Sequence, residues 1–344
     1  MDMPFVSVMM ITYNHAPYIR RAIEGVLSQE TRFCFELVVG EDRSTDGTGE
    51  IVRDYEKKHP GVIRVVTSDA NVGMRRNYYR TAGMCRGKYI AFCEGDDYWQ
   101  RRDKLQRQVD YLEEHPECGL VHSEHDRYYA HLDQTIRSYF RTSGNVPPRE
   151  FNVFTGWGAH IQTCTVMARH DLVREIHSDP AIYGHADAIG GVDIPLFIEV
   201  GMRSKIGYID ESLATYTVHN ESASHTPNRI RKARFCKCNI ESYLYLAKKY
   251  HREEERLRLE QAWRRAALWL AFLERDRTLA ETAIAGQDRR PWKAKMLYWG
   301  ARSPVGHRVL KVLDGGYRRI RDCMDERRLA RWVERGGSNP CREG

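Results

Sequence analysis

The stretch Lys88 to Asp97, KYIAFCEGDD, decides how the rest of the chain is read. Tyr89 to Cys93 is a short apolar run of a length that suits a strand buried on both faces. It ends in Glu94, Gly95, Asp96 and Asp97, three acids in four positions. Such carboxylates repel one another, and folding gains nothing from their proximity unless a cation lies between them. A hard divalent ion such as Mg²⁺ or Mn²⁺ takes carboxylate oxygens and commonly shares them with substrate phosphates. Gly95 permits close approach of backbone or ligand. Taken alone, the cluster reads more readily as a solvated acidic turn.

The flanking sequence decides between the two. Phe5 to Ile11, FVSVMMI, predicts a first buried strand, and Tyr18 to Gln29 has the apolar spacing of an amphipathic helix. Phe35 to Val39 is a second strand, running into GEDRSTDGT, where Ser44, Thr45 and Asp46 offer caps for a helix over Thr48 to Lys58. Val62 to Thr67 is a third strand, Asn77 to Cys85 a helix, and Lys88 to Cys93 a fourth strand. Strands alternating with helices imply a mostly parallel sheet with right-handed crossovers. Ligands on such sheets bind beyond the carboxyl ends of the strands. The polar residues Thr12 to Asn14, Glu41 to Asp46, Asn71 to Arg76 and Glu94 to Asp97 then gather on one rim, which turns the acidic cluster into a candidate site.

Further along, KLQRQVDYL predicts a helix ending before Pro116, and Leu120 to His122 a strand. Residues 123–160 give no clear pattern, with Pro147, Pro148, Gly156 and Gly158 marking loops. Ile161 to Ala168, IQTCTVMA, reads as a strand, and Asp193 precedes an apolar helical run, Pro195 to Val200.

Together VSVMMITYNHAPYIRRAIEGVLSQ, ELVVGEDRSTDGT, NVG at 71–73, GKYIAFCEGDDYW and GYIDESLATYTVHNESAS resemble the family 2 glycosyltransferases, inverting enzymes with the GT-A fold, of the bacterial cell-surface polysaccharide type. The resemblance covers roughly residues 5–225. It implies an α/β, Rossmann-like sheet flanked by helices, with a C-terminal helical extension. By the same resemblance Thr12, Tyr13, Asn14, Asn71 and Arg75 lie about the donor nucleotide, and Asp42 accepts a hydrogen bond from a ring N–H of uracil or thymine. Glu41 departs from the family's Asp. Asp96 contacts the donor's ribose and, with Asp97, the metal-bound diphosphate, and Glu94 and His219 are further metal candidates. Asp193 is the implied general base, with Asp187 as a nearby competitor; read from the residues alone, Asp193 fits a helix N-cap as well. Thr217 stands where relatives often carry Arg.

At 344 residues, with 42% hydrophobic and 29% charged residues, the composition is that of a globular protein large enough for a catalytic domain plus an appendage. The nine scattered cysteines form no CxxC pair, which fits a reducing compartment. The MDMPFVSVMMITYNH start does not read as a signal peptide. The expected location is cytoplasmic, with peripheral contact on the inner face of the membrane.

The expected divisions are 1–120 for the nucleotide-sugar half, 121–227 for the acceptor half, 228–285 for a helical extension and 286–344 for a basic amphipathic tail. Leu257, Trp263, Ala267, Leu270 and Leu273 are spaced for one buried face of that extension, which could also pair with a second copy as a homodimer. The tail holds 15 Lys/Arg against 7 Asp/Glu, so the excess of positive charge lies there. Basic residues beside aromatics suit an anionic membrane, and no motif points to nucleic acid.

The expected activity is metal-dependent (Mn²⁺ or Mg²⁺) transfer from a nucleotide-diphosphate sugar, UDP or dTDP favoured, to a hydroxyl of a glycan or lipid-linked acceptor. A nucleotidyltransferase would carry a glycine- and arginine-rich loop after the first strand, and ITYNHAP is not one. A catalytically inactive nucleotide-sugar or glycan-binding protein would bind without turnover.

Overall fold

The computed structural model describes residues 3–144, 161–179, 191–219, 226–286 and 291–313. Asp187, the loop prolines and glycines at 147–158, and the tail beyond 313 fall outside these. The chain divides into two compact units, one built on a sheet and one on the helices that follow it.

The sheet begins with β1 (Val6–Thr12), β2 (Phe35–Glu41), β3 (Ile63–Val66) and β4 (Tyr89–Phe92), separated by α1 (Ile19–Leu27), α2 (Thr48–Lys58) and α3 (Met74–Ala82). It continues with β5 (Tyr98–Trp99), α4 (Lys104–Glu114), β6 (Cys118–Tyr129), β7 (Gln134–Ile136), α5 (Tyr139–Ser143), β8 (Met167–Arg169), α6 (His170–His177), α7 (Asp193–Arg203) and β9 (Lys205–Val218). The order across the sheet is β3-β2-β1-β4-β8-β6-β9-β5, with β7 on β6. Six strands run in one direction; only the short β5, β7 and β8 run against them.

Period-two alternation explains why the first strands are buried on both sides. Val6, Val8 and Met10 of β1 join Leu37, Val39 and Ala91 in a core covered by Ile19, Ile23 and Val26 of α1 and Leu105 and Val109 of α4. Met9, Val38, Ile90 and Phe92 point the other way, against Tyr78 of α3, Val173 of α6 and Leu196, Phe197 and Val200 of α7. Each buried Val, Leu, Ile, Met or Phe among them contributes roughly 1.5–3 kcal/mol relative to exposure. The parallel register sets Thr12 opposite Glu41 and Met9 opposite Phe92, so the strands end together on one rim.

Two readings change. Of the expected strand over 161–168 only Met167 and Ala168 lie in the sheet, as the start of β8, while Thr163–Thr165 is a 3₁₀ turn. Side chains replace the ladder there: Trp99 Nε1 donates to the Cys164 carbonyl at 2.9 Å and Gln108 Nε2 to the Thr165 carbonyl at 2.8 Å. The strand at Leu120 to His122 is part of the twelve-residue β6.

The second unit holds α8 (Arg229–Lys249), α9 (Glu253–Glu274), α10 (Arg277–Ile284) and α11 (Trp292–Arg302), followed by helical residues 304–313. Asn228 caps α8 by accepting the Arg231 N–H, and Asp276 caps α10 by accepting that of Leu279. Ala267, Leu268, Ala271, Ala280 and Ala283 form its core. Ala267 and Leu270 of the expected face are buried, but Leu257 is exposed, because the first turns of α9 run among solvated ion pairs such as Arg256–Glu253. No described helix is long and apolar enough to cross a membrane.

Candidate active site

The loop after β1 and the loop after β2 are laced together by side chains accepting backbone N–H groups. Asn14, held at φ 57° as asparagine tolerates, accepts the Thr45 N–H at 2.9 Å, and its own N–H donates to Ser44 Oγ at 3.0 Å. His15 N–H donates to Thr48 Oγ1 and Ala16 N–H to Asp46 Oδ2, both at 2.9 Å. TYNHA and DRSTDGT are therefore two halves of one knot, with Tyr13 exposed on its surface. Glu41 is buried, and its Oε1 accepts the Ser44 N–H at 2.7 Å, so this carboxylate supports the knot from below.

Asp42 organises the next loop. Its two oxygens accept the N–H groups of Val72 and Gly73, both at 2.9 Å, while Asn71 Nδ2 donates to its carbonyl at 3.0 Å. Arg80 lies 3.5 Å from the same carboxylate, and Arg75 follows in the first turn of α3. Asp42 is thus withdrawn from solvent with each oxygen already accepting one bond.

The acidic turn lies beside this knot. Gly95 N–H donates to the Ile11 carbonyl at 3.0 Å. A side chain at 95 would begin 2.5 Å from Thr12 Oγ1 and 3.0 Å from His15 Nδ1, so only glycine fits. Gly95→Ala is expected to displace one or both neighbours, at a strain of about 1–3 kcal/mol. Thermal melts should fall and Mn²⁺-dependent nucleotide binding should weaken about tenfold; unchanged binding would dissociate Thr12 and His15 from the site.

The three acids divide in role. Asp97 is buried: Oδ1 accepts the Thr217 N–H of β9 at 2.7 Å, and burial, then Asp96 and Glu94, push its pKa well above the usual carboxylate range. Glu94 as a residue is half-buried, but its carboxyl is shielded, Oε2 having no hydrogen-bond partner among the described residues. Desolvation, then Asp96, raises its pKa to about 8, with Asp193 adding to the effect. Asp96 turns toward His15, Oδ2 to Nε2 at 3.8 Å. His15, Asp96 and His219, the residue directly after β9, place ligand atoms within 4.8 Å of one another. Carboxylate suits Mn²⁺ and Mg²⁺ and imidazole suits first-row transition ions, so the mixed set fits a divalent cation, as does an unsatisfied Glu94 oxygen nearby in the same turn. His15 was not among the sequence candidates, because a histidine closing a loop carries no spacing signal of its own.

Asp193 is the first residue of α7, after Val192 at the N-cap, and is half-buried. Thr163 Oγ1 stands 3.4 Å from its Oδ2, and both Thr163 and the Asp193 charge influence the Glu94 carboxyl. The 3₁₀ turn thus links the acidic cluster to Asp193. Beneath it Lys104 is wholly buried, hydrogen-bonded to Gln108 and 4.2 Å from the Trp99 ring centroid, and desolvation lowers its pKa to about 7. The lysine and glutamine stand four apart in KLQRQ, a helical i,i+4 pair whose burial only the fold reveals.

The Glu94 shift has a sign that can be tested. Its folded pKa of about 8 exceeds the reference 4.5, so the folded protein keeps a proton that the unfolded chain releases between those values. This contribution is fully present below the unfolded pKa and is lost as pH rises toward the folded one. Melts of the metal-free protein should fall across this window, and Glu94→Gln should flatten that fall. A native melt that rises with pH throughout would contradict the buried neutral carboxyl.

A crossover-built sheet with this rim is the GT-A architecture of nucleotide-sugar enzymes. Residues 7–176 match the model of Glycosyl transferase family 2. The uncharacterized protein Rv1520 of Mycobacterium tuberculosis is 40% identical over 224 residues, covering 64% of this chain and 61% of that protein. The Escherichia coli UDP-Glc:alpha-D-GlcNAc-diphosphoundecaprenol beta-1,3-glucosyltransferase WfaP is 28% identical over 164 residues, 48% of this chain and 58% of that one. Among solved structures, the Pyrobaculum calidifontis mannosyltransferase PcManGT, in complex with GDP-Man and Mn²⁺, superimposes with a TM-score of 0.54 at 17% identity, covering 91% of this chain and 88% of that one. Residues 7–176 of the chain belong to glycosyl transferase family 2.

Proposed function

We propose that this chain is a metal-dependent inverting glycosyltransferase that moves a sugar from a nucleotide-diphosphate sugar to a hydroxyl of a glycan or lipid-linked acceptor. The observation that carries the reading is one rim on which His15, Asp96 and His219 converge, with Glu94 joining that turn to Asp193. The knot of Thr12, Tyr13 and Asn14 holds the nucleoside, together with Glu41 beneath it and the Asp42–Asn71–Arg75 segment. Asp96, His15 and His219 would hold Mn²⁺ or Mg²⁺, with Asp97 and Glu94 shaping the turn behind them. When bound, that ion would neutralise the charge developing on the departing diphosphate.

Asp193 accepts the proton of the acceptor hydroxyl as its oxygen bonds to the anomeric carbon. The bond from that carbon to the diphosphate breaks on the opposite face, inverting the centre. A lipid-linked acceptor agrees with the acceptor named for WfaP. It also agrees with a cytoplasmic enzyme touching the membrane through 286–344, and 228–285 offers helices for pairing with a second copy.

A thermal-shift series of nucleoside diphosphates with and without Mn²⁺ tests the donor class. UDP or dTDP should stabilise the protein most, and only fully with metal. A guanosine preference would refute the pyrimidine part, and no shift from any of them would refute the reading. Release of nucleoside diphosphate on turnover separates an enzyme from an inactive binder.

A further inference from the structure

The surface least explained by sugar transfer is residues 291–313. This stretch contains five Lys/Arg and no Asp or Glu. α11 and the helical residues 304–313 approach closely: a side chain at Gly306 would begin 2.6 Å from the Trp299 ring, and one at Gly300 2.7 Å from Leu310. That contact buries Gly300, Gly306 and Leu310 and fixes which sides face outward.

Outward along 304–313 stand Val305, Val309, Val312 and Leu313, exposed by 65%, 45%, 75% and 59%. Their spacing places them on one helical face. α11 adds Trp292 and Trp299, two turns apart and exposed by 66% and 45%. Lys293, Lys295, Arg308 and Lys311 are exposed among them and form no ion pair among the described residues, whereas Arg302 is held by Glu281.

Six large apolar side chains leave about half or more of their surface in water, where it adds nothing to folding, and the cationic setting narrows what could cover them. A second copy docking face to face would bring Arg308 and Lys311 against like charges. A nucleic acid would match the charge but would leave the valine face unused. An anionic bilayer matches both: tryptophan and valine enter the headgroup boundary while the cations meet lipid phosphates.

We propose that residues 291–313 form a docking face for the surface of an anionic lipid bilayer. This gives a specific surface to the peripheral contact invoked above, and its test needs no sugar transfer. The full chain is sedimented with vesicles of phosphatidylcholine alone or mixed with phosphatidylglycerol. Binding to the mixed vesicles should be at least about tenfold tighter and should weaken with salt. Arg308→Glu with Lys311→Glu should abolish the preference. Trp292→Ser with Val309→Ser and Val312→Ser should release the protein from both vesicle types, with thermal melts and Mn²⁺-dependent nucleotide shifts unchanged. Failure to sediment, equal binding to both vesicles, native binding by the variants, or loss of a dimer in place of vesicle binding would each overturn the proposal. A failed nucleotide shift alongside intact vesicle binding would count against the transferase reading alone.

Discussion

Asp96→Ala is expected to lower sugar transfer by about two to three orders of magnitude, the size of losing one aimed electrostatic group at a reacting centre. Asp96 is the acid of its turn that faces His15, and it shares the three-residue donor set with His219. Asp97 already accepts the Thr217 N–H from within the core. The two substitutions should therefore differ in kind. Asp96→Ala should keep or raise the native melt, since a like charge beside Glu94 and Asp97 is gone, yet it should lose the Mn²⁺-dependent nucleotide shift. Asp97→Ala should lower the melt, because a buried amide of β9 loses its acceptor. Diphosphate release and melting curves on both variants check this. Full-speed transfer by Asp96→Ala would remove the basis for the metal assignment.

Asp193→Asn is expected to lower kcat by about 10²–10⁴-fold while leaving nucleotide binding intact. Asparagine keeps the shape and an oxygen that Thr163 can still donate to, but it cannot take a proton at neutral pH. The split discriminates between roles. A purely structural role in the first turn, where Val192 and not Asp193 is the N-cap, would leave kcat nearly unchanged. A general base gives the reverse. The KM for the donor should hardly move, because the proposed nucleoside site, the knot of Asn14, Ser44 and Thr45 with the Asp42 loop, lies on other elements.

The strands and helices up to Glu114, apart from the two-residue β5, were legible because their apolar spacing is local. β6 was legible only at Leu120 to His122, since Ser123, Glu124 and His125 beyond it are wholly buried and a polar run does not read as core. Glu124 is accommodated there by accepting the N–H groups of His125, Phe140 and Arg141. The 3₁₀ turn was misread as strand for a related reason: its carbonyls are satisfied by Trp99 and Gln108, side chains 65 and 57 residues away in the chain. No window of sequence contains that information.

By itself, the sequence determined the alternation of elements and put an acidic turn at the end of β4, because periodicity and strand length act over a few residues. Tertiary structure decided how the acids share the work. Asp97 meets Thr217 across 120 residues of chain, which draws it inward and leaves Asp96 facing His15. Which carboxylate faces the rim depends on which backbone amides lie within reach, and only the assembled sheet supplies those amides.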